Sequence, residues 1–422
     1  MNEIYNQRLD EKYYSIHHPT GLEILVFPKP GYRSAYAVFG TRYGSIDTCF
    51  RRSGENDFIK VPEGIAHFLE HKLFESEDLD AFERYAQTGA SANAFTSFDR
   101  TCYLFSTTGN FKESLEILLD FVQSPYFTPE TVQKEQGIIG QEIRMYEDEP
   151  NWEVLFGLLR AMYHNNPVRI DIAGTVESIA QIDDKLLYSC YNTFYNLHNM
   201  VLCVSGNVTP EEVLEVADRL LKPTEKIEIE RKFPEEPKEV VSHSVSKKLS
   251  VAVPVFAIGF KEECEKPEHT LKEKIETAIL LEILAGNTSN LYKDLFEQGL
   301  INTSFCSEYF NGFGYASIIF TGESKEPEKI QEALKKEIFR LREHGIDPSD
   351  FERARKFLYG RTVMSYNDIE AIADNMVNSY FSGHGLFDNI AVYETVTLAD
   401  VTKRLAEQLD CDNSAISVIL PA

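Results

Sequence analysis

Residues 64–75 read GIAHFLEHKLFE, and His67, Glu70 and His71 within them decide how the rest of the chain is read. The flanking residues are good helix formers, and Pro62 and Gly64 suit a loop running into a helix start. On a helix, positions i, i+3 and i+4 share one face. His67 and His71 can therefore aim two imidazoles at one point, with Glu70 beside them and under no need to ligate. A catalytic zinc needs that geometry, with a further protein ligand and one position open to water. H-x-x-E-H reverses the commoner H-E-x-x-H, and both place two ligands and a base carboxylate on one helix face. A surface helix with two histidines and a glutamate would show the same letters, so a third ligand has to be found elsewhere.

The chain has 422 residues, more than one ordinary domain holds, and two or three domains are expected. With 43% hydrophobic and 12% aromatic residues it can bury sizeable cores, which argues against global disorder. A net charge of −25 argues against a nucleic-acid binder, whose affinity rests on Lys and Arg meeting phosphates. The opening residues MNEIYNQRLDEKYY carry acids where a signal peptide has a basic and then an apolar segment. No run approaches the roughly 18 apolar residues of a membrane span, so no membrane association is expected. Cys49, Cys102, Cys190, Cys203, Cys264, Cys306 and Cys411 are scattered, odd in number and form no C-x-x-C pair. Free thiols in a reducing, cytoplasmic setting fit that pattern.

Outward from the histidine helix, residues 21–28 (GLEILVFP) and 35–43 (AYAVFGTRY) alternate or run apolar and read as strands of one sheet. Residues 79–87 form a short amphipathic helix ended by Thr88 and Gly89. Residues 91–108, SANAFTSFDRTCYLFSTT, hold two β-rich stretches around 97–100 and read as a hairpin. An amphipathic helix spans 111–123. Thr128 then caps, Pro129 takes the first helical position and Glu130 favours the positive end of a second helix, PETVQKEQGIIGQEIRMYEDE, which stops before Pro150.

That second helix carries Glu135 and Glu142, two turns apart on one face. Glu75 also lies near the histidines, but it is about 12 Å along the helix axis from His67, so joint ligation is strained. A glutamate on a separate packed helix reaches more easily. Glu142 is preferred, with Glu135 as a supporting carboxylate behind a ligand. Residue type alone leaves the other acids of this helix open, since an acidic helix face is ordinarily a solvated one.

H-x-x-E-H, then S-A-N-A-F-T-S at 91–97, then two glutamates seven apart in KEQGIIGQEI at 134–143, resemble the pitrilysin, or insulinase, family of zinc peptidases. That family includes insulin-degrading enzymes and mitochondrial processing peptidases, and the chain is similar to its bacterial processing-peptidase-like members. The resemblance runs on through residues 148–182 and 191–208, and so covers essentially the first 210 residues. It implies that His67, His71 and Glu142 are zinc ligands, one zinc per chain. It further implies that Glu70 is the general base, Glu135 an accessory catalytic glutamate, and Asn93, Ala94 and Phe95 part of an edge strand that binds peptide. Such pairing is β-augmentation, which recognises a peptide by its main chain. In that chemistry zinc lowers the pKa of its water toward about 7, while the base takes the proton and passes it to the leaving amine.

Past an amphipathic helix at 210–221, KPTEKIEIERKFPEEPKE at 222–239 is dense in charge and proline and reads as a linker. The expected domains are 1–222, catalytic, and 240–422, with a linker at 223–239. The second half repeats the order of the first, with strands at 250–260 and 315–323 and helices at 270–286, 327–344 and 348–364. The resemblance implies an α+β fold of two homologous domains, each a mostly antiparallel sheet covered by helices. No H-x-x-E-H recurs in the second half, where LLEILAGNTSNLYKDL stands at 280–295. In the family such a domain often supplies an arginine and a tyrosine seven residues apart to steady the reacting carbonyl. Leu295 and Asn302 occupy those places here. Tyr309, Tyr315 or Arg361 could replace them, or a related subunit lacking the zinc motif could supply them.

Two functions are weighed. One is a zinc endopeptidase acting on short unfolded peptides, working as a dimer, with no nucleic acid or membrane partner. The other is a non-catalytic structural subunit of a peptidase-like complex, in which ligands or base are usually lost; all four are present here.

Overall fold

The structure is a computed structural model that describes residues 1–77, 79–263 and 269–422. Cys264 lies outside those residues, and the other six cysteines are free. The chain forms two compact units, each assembled from separate segments. Met1–Ile143, Asp171–Lys232 and Val363–Phe387 make the first; Arg144–Ile170, Phe233–Thr362 and Asp388–Ala422 make the second.

The first unit is built on seven strands, β1 (Asn2–Asn6), β2 (Glu11–His17), β3 (Glu23–Pro28), β4 (Ala35–Thr41), β7 (Ser91–Thr96), β8 (Thr101–Thr107) and β9 (Met200–Gly206). They lie in the order β1-β2-β3-β9-β4-β8-β7, with every neighbouring pair antiparallel except β3 with β9. The apolar runs of β4 and β9 follow from burial on both faces. Ala35, Ala37 and Phe39 enter the main core. The opposite face is covered by α13 (Ile369–Phe381), a helix from the far end of the sequence. At the sheet edge β7 alternates exposed and half-buried residues, as a strand wetted on one side should. A small second sheet joins β5 (Cys49–Arg52), β6 (Ile59–Lys60) and β10 (Ile229–Arg231). β10 lies within 223–239, and its Arg231 pairs with the buried Asp47 at 2.7 Å.

The helices of this unit are α1 (Ile65–Leu73), α2 (Ala81–Thr88), α3 (Phe111–Val122), α4 (Pro129–Glu147), α6 (Val176–Ile179), α7 (Asp184–Phe194) and α8 (Pro210–Leu220). The unit boundary falls in the last turn of α4. Thr128 caps α4, its Oγ1 accepting from Thr131 N at 3.2 Å.

In the second unit β11 (Ser244–Leu249), β12 (Val255–Lys261), β13 (Cys306–Gly312), β14 (Tyr315–Glu323) and β15 (Ser414–Pro421) lie in the order β11-β15-β12-β14-β13. Only β11 and β15 are parallel. This is the order of β3-β9-β4-β8-β7, with the parallel pair in the same place. Around the sheet stand α9 (Leu271–Ala285), α10 (Asn290–Glu297), α11 (Pro327–His344), α12 (Pro348–Ser365), α14 (Asp388–Thr395) and α15 (Leu398–Glu407). The helix on β12 and β15 is α5 (Pro150–Met162). Each sheet thus carries a helix from the other half of the sequence. The fold is the α+β, two-domain, mostly antiparallel architecture expected.

The start of α1 is fixed by a backbone clamp. Gly64 has φ +88°, and a Cβ there would stand 2.3 Å from the Ala173 carbonyl oxygen. Gly174 opposite has φ +76°, and its Cβ would fall 2.5 Å from the Glu63 oxygen. Ser178 Oγ donates to the same Glu63 oxygen at 2.9 Å. Only glycines allow the two chains to approach this closely. Gly137, on the exposed face of α4, has nothing within 4 Å of a built Cβ. Gly64→Ala should therefore cost about 2 kcal/mol or more, read as a fall in the urea midpoint. Gly137→Ala should be neutral or add up to about 1 kcal/mol in the same titration.

Candidate metal centre

Packing decides which side chains α1 and α4 offer each other. Ile65, Phe68, Leu69 and Leu73 bury one side of α1 in the core, leaving His67 and His71 partly open on the flank. On α4, Val132, Ile139 and Ile143 form the buried stripe, with Glu135 and Glu142 beside it. The two flanks meet. Glu142 lies 3.3 Å from His71 Nε2 through one carboxylate oxygen and 3.7 Å from His67 Nε2 through the other. One donor atom each from His67, His71 and Glu142 lie within 4.8 Å of one another. Ligand atoms at about 2.0–2.2 Å from one tetrahedral zinc are roughly 3.3–3.6 Å apart, so the cluster is of the right size.

Glu135, two turns before Glu142, stands behind the cluster, its Oε1 2.9 Å from His71 Nδ1. Nδ1–H donating to Glu135 leaves Nε2 directed at Glu142, the orientation a ligating histidine requires. His67 Nδ1 is buried with no hydrogen-bond partner among the described residues. Glu70 is buried and accepts from Thr96 Oγ1 at 2.7 Å. Glu75, the strained alternative ligand, is instead paired with the fully buried Lys72. Asn93, Ala94 and Phe95 lie on the edge strand β7, where Asn93 Oδ1 accepts from Ala94 N at 2.9 Å and Phe95 is exposed.

The electrostatics show a demand for positive charge. Burial, reinforced by the neighbouring His71, pushes the His67 pKa down to about 4. Burial opposes charge on His71 as well, but hydrogen bonds to Glu135 and Glu142 and the charge of Glu70 outweigh it and raise it to about 10. Burial also raises Glu70, against the hydrogen bond from Thr96 and the charge of His71. His71 thus stands among the side chains of Glu70, Glu135 and Glu142. Two imidazoles, a carboxylate and a supporting carboxylate behind one ring form a donor set that suits zinc.

Comparison with known proteins agrees. The description "Insulinase (Peptidase family M16)" matches residues 60–176, and "Peptidase M16 inactive domain" matches 181–358. A Bacillus subtilis (strain 168) protein named as an uncharacterized zinc protease, YmfH, is 41% identical over 426 residues, covering 100% of this chain and 99% of its own. The chain belongs to the insulinase family, peptidase family M16. A candidate M16-like peptidase from Alicyclobacillus acidocaldarius superposes with a TM-score of 0.92 at 39% identity, over 97% of this chain and 98% of that one. Pitrilysin shares the fold at a TM-score of 0.76 and 17% identity, over 100% of this chain and 46% of its own.

Within this M16 chain the sequence reading lacked Thr96 and Lys72. Thr96 was legible only through the two-residue alternation of β7, which puts it on the same side as Ala92 and Ala94. Lys72 had a signal in Glu75 three residues on. In the second unit Leu295 is buried in the core, and Asn302 donates to Glu323 at 2.9 Å. Tyr309 donates its hydroxyl to Glu262 at 2.8 Å and Tyr315 is buried; Arg361 is exposed, over the Phe357 ring. Glu135→Ala should weaken zinc binding by about ten- to a hundredfold, read by competition with a chelating dye, whereas His71→Ala should abolish it.

Proposed function

We propose that this chain is a zinc endopeptidase that cleaves short, unfolded peptides. The observation that carries the reading is the meeting of Glu142, from one helix, with both imidazoles of another, while Glu70 on the same face is held aside by Thr96. In this reading His67, His71 and Glu142 hold the metal, and Glu135 fixes the ring of His71. Bound there, zinc supplies Lewis acidity toward a water and the scissile carbonyl. Glu70 takes the proton of the attacking water and returns it to the departing amine. The peptide lies extended along β7, whose outer edge pairs with no strand among the described residues, and donates and accepts main-chain hydrogen bonds beside Asn93, Ala94 and Phe95.

The donors for the developing oxyanion are assigned to a partner, a related subunit without the zinc motif, since a second copy would carry the same residues at those places. Supporting this, the arginine and tyrosine positions hold Leu295 and Asn302, and Tyr309 is committed to Glu262. A dimer also matches the size of pitrilysin, of whose length this chain covers 46%. No helix among the described residues is long and apolar enough to cross a membrane. A cytoplasmic location is part of the proposal.

The test is a purified chain assayed for metal and for cleavage of a quenched fluorescent peptide. About one zinc per chain is expected in the wild type and in Glu70→Gln, with turnover in that variant reduced at least a hundredfold. Glu142→Gln should lose the metal together with the activity. Unaltered turnover by Glu70→Gln, or a zinc-free wild type, would overturn the reading.

A further inference from the structure

Among the described residues Glu70 has a single hydrogen bond that orients it, and the donor belongs to the strand assigned to the substrate. Thr96 is the last residue of β7, paired across the hairpin with Thr101. Its Oγ1 donates to Glu70 Oε2 at 2.7 Å, and Thr101 Oγ1 lies 3.4 Å behind it, itself donating to the Tyr43 carbonyl at 2.9 Å. A threonine hydroxyl has one proton to give. Spent on Oε2, it pins one oxygen of the carboxylate and leaves Oε1 as the face that can meet a water.

The support beneath Thr96 is rigid. Ser45 N and Ile46 N donate to the carbonyls of Ser97 and Phe98 at 3.0 and 3.1 Å, and Ser97 N donates to Arg100 O at 2.8 Å. Gly44 packs so closely on this turn that a Cβ would come within 2.3 Å of the Phe98 oxygen. The β7 end is therefore bound to residues 44–46 by backbone hydrogen bonds and close packing. Alternation along the strand then ties two events together. Ala92, Ala94 and Thr96 point inward, while Ser91, Asn93 and Phe95 face solvent beside the free edge.

We infer that Thr96 is a positioning residue, which registers the carboxylate of Glu70 against the strand that holds the peptide. This rests on the assignment of Glu70 as the proton acceptor. A peptide laid on β7 is placed in the same frame as the base, because the strand that would hold the peptide also holds the carboxylate of Glu70 through Thr96. A hydrogen bond to a charged group holds the carboxylate through differences of about ten- to a hundredfold in rate. The contribution falls on kcat, since Thr96 holds the base and not the substrate.

The experiment uses the full chain loaded with zinc. Thr96→Val should lower kcat about ten- to a hundredfold with KM within about twofold, keeping about one zinc per chain. Thr96→Ser, which keeps the hydroxyl, should return kcat to within about threefold of wild type; Thr96→Ala provides the same loss should valine unfold the edge. In a Glu70→Gln background Thr96→Val should cause no further loss, and the Kd of the same peptide, measured on that inactive pair, should not change. Wild-type kcat in both Thr96→Val and Thr96→Ala, loss of zinc in step with rate, or failure of serine to restore would overturn the inference. Should Glu70→Gln be inactive while Thr96→Val is fully active, only the role of Thr96 falls. Should Glu70→Gln itself turn over normally, the assignment of Glu70 falls first.

Discussion

Everything in the first unit serves one electrostatic constraint, that a carboxylate on α4 must face two imidazoles on α1 across a gap the size of a metal ion. Glu70, Glu135 and Glu142 gather around His67 and His71, and carboxylates brought this close favour a positive group among them. Without a cation, a proton on His71 takes that part, drawn there despite burial. The glycine clamp at Gly64 and Gly174 fixes where α1 begins, and the Val132–Ile139–Ile143 stripe fixes the rotation of α4. Neither helix could turn by one residue without sending its polar flank into the core.

That same rigidity explains what could be read from the letters. The i, i+4 spacing of His67 and His71 and the seven-residue spacing of Glu135 and Glu142 are local facts, and helix geometry converts them into shared faces without knowledge of the rest of the chain. The hairpin at 91–108, the helix opened by Thr128 and Pro129, and the strand at 315–323 were legible for the same reason. Partner choice was not. Nothing in the periodicity of α5 says that its apolar face lies on β12 and β15, or that α13 lies on β4 and β9. Likewise the dense charge of 222–239 reads as solvated chain, yet Arg231 finds the buried Asp47, and Glu236 accepts from the backbone of His164, Asn165 and Asn166. A charged residue is written identically whether its partner is water or a carboxylate many residues away.

The second unit separates fold from site. Its five strands repeat the order of β3-β9-β4-β8-β7, parallel pair included, so the sheet does not depend on the histidines. Where α1 follows β4 and the small strands β5 and β6, the helix α9 follows β12, and nine of its fifteen residues are buried. Glu276 and Thr277 are among those nine, yet the helix carries no histidine and so no ligand pair. The architecture is reusable, and the chemistry resides in which face of one helix is left half open.

A glutamate next to a metal-binding histidine is by its nature a competing ligand, and the reversed motif places Glu70 on the same face as both imidazoles. Distance along the helix does not keep it out. What does is a second attachment, the Thr96 hydroxyl on the edge strand, which draws the carboxylate toward β7 while Glu142 approaches from α4. In the proposed reading, the division of labour between ligand and base is set by the two elements that flank α1, a strand on one side and a helix on the other. The five-residue pattern supplies candidates for both tasks, and the proposed roles rest on which neighbour each side chain meets.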